Sequence, residues 1–103
     1  KPKSYDGLYG IGGGKLSYDF YLPKYNLLIE FQGEQHEHAK NHFGGEEQLK
    51  IQQEHDRRKR DYAKQNNINL LEIWYYDIDN IEEILTKTIN NLKSKSVETI
   101  EVA

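Results

Sequence analysis

The sequence predicts an α/β domain: a mixed sheet of three or four strands with flanking helices. Four stretches predict it. Asp19 to His36, DFYLPKYNLLIEFQGEQH, reads as two short strands around a turn. Glu46 to Asn66 reads as a long helix. Ile68 to Tyr76 is rich in strand formers, and Ile81, Ile84, Leu85, Thr88 and Leu92 then recur at helical spacing.

Taken in order, residues 1–16 are expected to be a flexible lead-in, because Lys1 to Gly14 holds five of the eight glycines. GGGK invites comparison with a phosphate-binding loop. However, Tyr9 stands where the first Gly of that pattern belongs, and Leu16 follows Lys15 where Ser or Thr is needed. Ser17 to Leu22 alternates, which predicts Tyr18, Phe20 and Leu22 on one side and Ser17, Asp19 and Tyr21 on the other. Pro23 to Asn26 is a turn, with Pro fixing φ and Asn tolerating the tight end. Leu27 to Gln32 is apolar on both faces, the mark of a well-buried strand. A turn centred on Lys24 and Tyr25 sets Asp19 opposite Glu30 and Tyr21 opposite Leu28. Opposed residues share a face with Cβ atoms roughly 5 Å apart, so two carboxylates there destabilise the sheet unless a cation neutralises them.

Glu34 to Gly45 is a polar stretch with three of the four histidines. In the helix that follows, acidic residues open the first turn and Lys64 lies in the last, both favourable to the dipole. Leu49, Asp56 and Ala63 recur every seven residues, so Asp56 belongs to the stripe facing the sheet. A buried carboxylate there needs a partner; a structural partner would be Arg60, one turn on. Asp79 with Glu82 fits a capping box for the final helix. The apolar spacing fades after Lys93, so residues 17–93 read as the domain and 94–103 as a tail.

A chain of 103 residues, 36% hydrophobic and 30% charged, suits one folded domain. No apolar run reaches the roughly 20 residues of a membrane span, and no signal-peptide pattern opens the chain. The absence of Cys excludes thiolate chemistry and disulfides, and an intracellular location is the simplest expectation. A net charge of −3 argues against nucleic acid as partner of the entire surface, while Arg57, Arg58, Lys59, Arg60 and Lys64 form a locally basic cluster. Such a run is most often a solvated helix face; its functional reading is phosphate contact.

Asp19 and Glu30, with Phe31 and Gln32 following, give D…E-x-Q on a hairpin. Two carboxylates plus a strand carbonyl suit Mg²⁺, which keeps several waters; the plain alternative is two unrelated acids on a solvated face. His36 follows the second strand, and Asp56 on the inner helix face could fix its tautomer, as a general acid or base requires. Zinc held by His36, His38, His42 and His55 is a weaker reading, since spacings of two, four and thirteen residues fit no standard site.

From about Tyr18 to Leu85 the chain resembles the phage and bacterial homing endonucleases of the EDxHD type. That family is related to the very-short-patch repair endonucleases and, more distantly, to the PD-(D/E)XK nucleases. The resemblance rests on the Asp19–His36 stretch, FGGEE at 43–47, the helix with Asp56, NINLLEIWYYD at 67–77 and NIEEIL at 80–85. It implies a restriction-endonuclease-like core and an Mg²⁺-dependent (or Mn²⁺-dependent) endonuclease acting on double-stranded DNA in the cytoplasm of a bacterial or phage-infected cell. The motif's first Asp matches Asp19, its variable position points to the Phe31 carbonyl as a metal ligand, and its His and last Asp match His36 and Asp56. Glu30 would bind metal directly or through water. Gln32 stands where relatives often carry a charged or imidazole side chain; it could position water but not act as a base. Arg57, Arg58 and Lys64 would touch phosphates. The motif's leading Glu has no match in the Gly-rich residues before Asp19, which implies that it is absent or lies outside the chain. Target specificity is expected to lie in a separate DNA-binding region outside this chain, and a homodimer is a further expectation. A catalytically silent DNA-binding or scaffolding module with the same fold is the alternative.

Overall fold

A computed structural model of the chain describes residues 2–34 and 45–102, with side chains to residue 94. It is an α/β fold with a mixed three-stranded sheet, two helices and an additional two-stranded hairpin.

The hairpin lies where a flexible lead-in was expected. Strands β1 (Lys3–Tyr9) and β2 (Lys15–Tyr18) pair antiparallel, with a register shift between Ser4 and Tyr9. Gly7 sits in that shift at φ 93°, a conformation that side chains disfavour. Gly10, Gly12, Gly13 and Gly14 form the turn, where the Gly10 N–H donates to the Gly14 carbonyl at 2.8 Å. The bulge explains why simple alternation hides β1: Leu8 enters the core three residues after Tyr5, not two or four.

Asp19 is a bend between β2 and β3 (Phe20–Leu22). The bend overturns the predicted facing. Tyr18 and Tyr21 share one core, while Leu22 joins the other and Phe20 remains exposed. A 3-10 turn over Pro23–Tyr25 then leads to Asn26 in the left-handed region (φ 49°, ψ 49°) and into β4 (Leu27–Gln32). As predicted, β3 pairs antiparallel with β4, Tyr21 opposite Leu28, and β4 is buried at every position except Phe31.

Helix α1 (Gly45–Gln65) is the crossover from β4 to β5 (Asn69–Trp74), which pairs parallel to β4 from Leu27↔Asn69 to Gln32↔Trp74. The sheet order is β3-β4-β5. A 3-10 turn, Tyr75–Asn80, runs directly into α2 (Ile81–Val102). Asp79 lies inside that turn and Ile81 is already helical, so a continuous turn replaces the expected capping box. The helical backbone also continues through the expected tail, where no Gly or Pro interrupts it.

Alternation along β4 makes three layers. Leu28 packs with Leu8, Tyr18 and Ala63 beneath the hairpin and α1. Leu27 and Ile29 pack with Ile73 against α2 through Ile81, Ile84, Leu85 and Leu92. Glu30 and Gln32 share the Leu28 face, so two polar side chains are buried under α1 at the carboxyl end of β4.

Candidate active site

The Asp19–Glu30 pairing is realised and reciprocal. The β3–β4 register, Phe20 with Ile29 and Leu22 with Leu27, continues to Asp19 across from Glu30. The Asp19 N–H donates to Glu30 Oε1 at 2.7 Å, and the Phe31 N–H donates to Asp19 Oδ2 at 2.8 Å. Each carboxylate is thereby fixed by the other strand's backbone. The same alternation turns the Phe31 carbonyl toward the Asp19 edge, since N–H and C=O of one strand residue point the same way.

The neutralising cation within the described residues is Lys59. Its ammonium donates to Glu30 Oε2 at 2.8 Å, with side chains only 13% and 4% exposed. The Tyr18 hydroxyl donates to the Lys59 carbonyl at 2.7 Å, and burial pushes that hydroxyl's pKa up, so it stays a donor. Burial also raises the Glu30 pKa, with the Asp19 charge adding to the rise; the Lys59 hydrogen bond and charge oppose it. Lys59 escapes a sequence reading that treats 57–60 as one solvated basic run. Its position three residues after Asp56 and four before Ala63, both on the buried stripe, is the signal that could have found it.

Gln32 is 1% exposed, and its Oε1 has no hydrogen-bond partner among the described residues. Asp56 is buried on the inner face of α1, as predicted, and accepts from Gln52 Nε2 at 3.5 Å. Arg60 directs its Nε to Glu72 at 2.6 Å, so the direct ion pair expected with Asp56 is made with Glu72. His36, His38 and His42 lie outside the described residues. His55 faces the hairpin turn and accepts the Ile11 N–H at Nε2, 3.0 Å. No group of three or more His, Asp or Glu side chains among the described residues is placed to hold a metal ion. The Asp19 and Glu30 carboxylates, the Phe31 carbonyl and the Gln32 amide oxygen are hard oxygen groups, the type of ligand that suits Mg²⁺.

Two of the three expected DNA-contacting cations, Arg57 and Arg58, are paired with residues other than Asp19 and Glu30. Arg57 bridges Glu54 at 2.8 Å and Asp61 at 2.6 Å. Arg58 binds Glu54 at 2.7 Å and the Tyr9 carbonyl at 3.0 Å, beside an open groove of about 360 Å³ between β1 and α1. Lys64 is exposed near the end of α1. No helix among the described residues is long and apolar enough to cross a membrane.

No protein-family model matches the chain, and no solved structure matches it. The chain is similar to uncharacterized protein 307L of Invertebrate iridescent virus 6, 35% identical over 83 residues. That match covers 80% of this chain and 40% of the viral protein, so the chain spans about two fifths of the relative's length.

Proposed function

We propose that the chain is the catalytic domain of an Mg²⁺-dependent DNA endonuclease of the EDxHD homing type, with a restriction-endonuclease-like core, hydrolysing phosphodiester bonds in double-stranded DNA. The observation that carries the reading is the reciprocally fixed Asp19–Glu30 pair at the carboxyl end of a parallel strand, an edge where α/β sheets place ligands. Asp19, the Phe31 carbonyl and Glu30 would hold the metal, and Gln32 would orient water through its unpartnered Oε1. Bound there, Mg²⁺ would polarise the phosphate and acidify water.

His36, assigned by resemblance alone, would relay the proton, with Asp56 as its positioning partner. The burial of Asp56 on the inner face of α1 supports that role. Target recognition belongs to a further region or a second protomer, because the net charge is −3 and Arg57 and Arg58 are already paired. Plasmid nicking in Mg²⁺ tests the reading: His36→Ala abolishes cleavage in the full-length protein with the fold intact, and cleavage at the wild-type rate would sink it.

One observation favours the silent-module alternative. The Lys59 ammonium supplies a neutralising charge for Glu30 from the chain itself, at 2.8 Å. Titration with Mg²⁺ or Mn²⁺ separates the two, since a silent module has no reason to respond.

A further inference from the structure

Resting on the metal-dependent reading above, we infer that Lys59 is an exchangeable counter-cation. Its ammonium pairs with Glu30, leaves when a divalent cation binds, and then becomes a contact for the phosphate.

The geometry sets up a competition. Glu30 Oε1 is held by the Asp19 N–H and Oε2 by the Lys59 ammonium. A divalent cation shared by Asp19 and Glu30 would lie within a few ångströms of that ammonium, because hard cations sit roughly 2.0–2.1 Å from carboxylate oxygens. Two positive charges at that separation, in a site this dry, repel strongly.

The side chain is free to yield while its backbone is not. The Tyr18 hydroxyl pins the Lys59 carbonyl at 2.7 Å, and Tyr18 is fully buried, so α1 stays in place. The flexible four-carbon stem beyond that anchor can swing a compact ammonium aside. The aromatic ring of Tyr18 lies 5.9 Å from the ammonium, a second attractive surface for it.

The charge balance follows the same course. Asp19, Glu30 and Lys59 together carry one formal net negative charge. A divalent cation reverses that to one net positive charge, which a phosphodiester neutralises. An ammonium that remained on Glu30 would weaken the metal seat and be unavailable to substrate.

Metal affinity measured without DNA tests the exchange. In Mn²⁺ titration calorimetry Lys59→Gln binds at least about tenfold tighter than wild type, the scale on which one neighbouring charge alters a carboxylate's affinity for a cation, and Glu30→Gln binds more weakly. In case Lys59→Gln folds poorly, NMR of the wild-type Lys59 ammonium, identified by its absence in Lys59→Arg, gives the same answer. The signal is protected from exchange in the metal-free chain and loses that protection on adding Mg²⁺. Equal or weaker Mn²⁺ binding by a folded Lys59→Gln, or a Lys59 signal unchanged at saturating Mg²⁺, overturns the exchange and leaves the metal site standing. No metal binding by either protein removes the metal site itself.

Discussion

Asp19 serves two purposes that mutation can separate. Its backbone N–H and its Oδ2 tie the β2–β3 bend to β4, and its charge faces Glu30. Asn at this position can still accept the Phe31 N–H through its amide oxygen but loses the charge. Asp19→Asn is expected to change thermal stability little while lowering Mg²⁺-dependent cleavage more than about 100-fold, the scale for removing a group that stabilises charge in an active site. A melting curve beside a nicking assay checks both halves. The opposed carboxylates were legible because register follows from turn position and strand period alone. Lys59 was not, because a run of four basic residues looks uniform in sequence, and only the helix phase, with Asp56 and Ala63 inward, distinguishes it.

At the scale of elements, the β3–β4 turn depends on Asn26. It adopts φ 49°, its Nδ2 donates to the Asn67 carbonyl at 2.9 Å, and its carbonyl accepts the Asn69 N–H at 3.0 Å. Asn26→Ala is expected to destabilise the domain by ~1–2 kcal/mol from the left-handed backbone alone, since only Gly, Asn and Asp visit it readily. Urea denaturation checks this, with Asn26→Gly recovering the backbone part but not the side-chain bonds.

The α1 surface has a different sensitivity. Hydrogen bonds from Arg57 and Arg58 pull Glu54 from its ordinary 4.5 down to about 2. A depressed folded-state value means the clamp's stabilisation is complete above 4.5 and is lost as pH falls toward 2. Glu54→Gln is therefore expected to flatten that acid limb of the melting temperature, as should molar salt, because the clamp is exposed. An unchanged limb would mean that other carboxylates set it.

Helix α1 and the start of α2 were legible from their helical spacing, and β4 and β5 from uninterrupted runs of strand-forming residues. Strand β1 was not: its shift at Gly7 breaks the alternation, and the glycines of its turn look like a loop. Sequence also left no trace of how the hairpin docks, with His55 and Arg58 of α1 holding its turn. Gly10 lies so close that a Cβ there would stand 2.8 Å from His55 Nε2.

For the whole molecule, the two cores divide the work. One holds the hairpin and α1 against the sheet, and the other holds α2. The proposed site lies in the first layer, at its polar end, so that core packing sets the distance between Lys59 and Glu30. Arg57 and Arg58 on α1 are paired with acidic side chains, and the chain carries a net charge of −3. Binding of the isolated chain to DNA is accordingly expected to be weak and only shallowly salt-dependent, compared with a protein that neutralises several phosphates. Fluorescence anisotropy across a salt series checks this; a steep slope would point to a basic surface not formed by Arg57, Arg58 and Lys64.

The divalent-metal seat formed by Asp19 and Glu30 is the central claim, and Mg²⁺ titration of the isotopically labelled chain, following the two side-chain carboxyl carbons by NMR, tests it most directly. Both signals are expected to move together along one saturable curve at low-millimolar Mg²⁺, and the Glu30 response should vanish in Asp19→Ala. Carboxyl signals that stay fixed throughout, in a chain that remains folded, would contradict it.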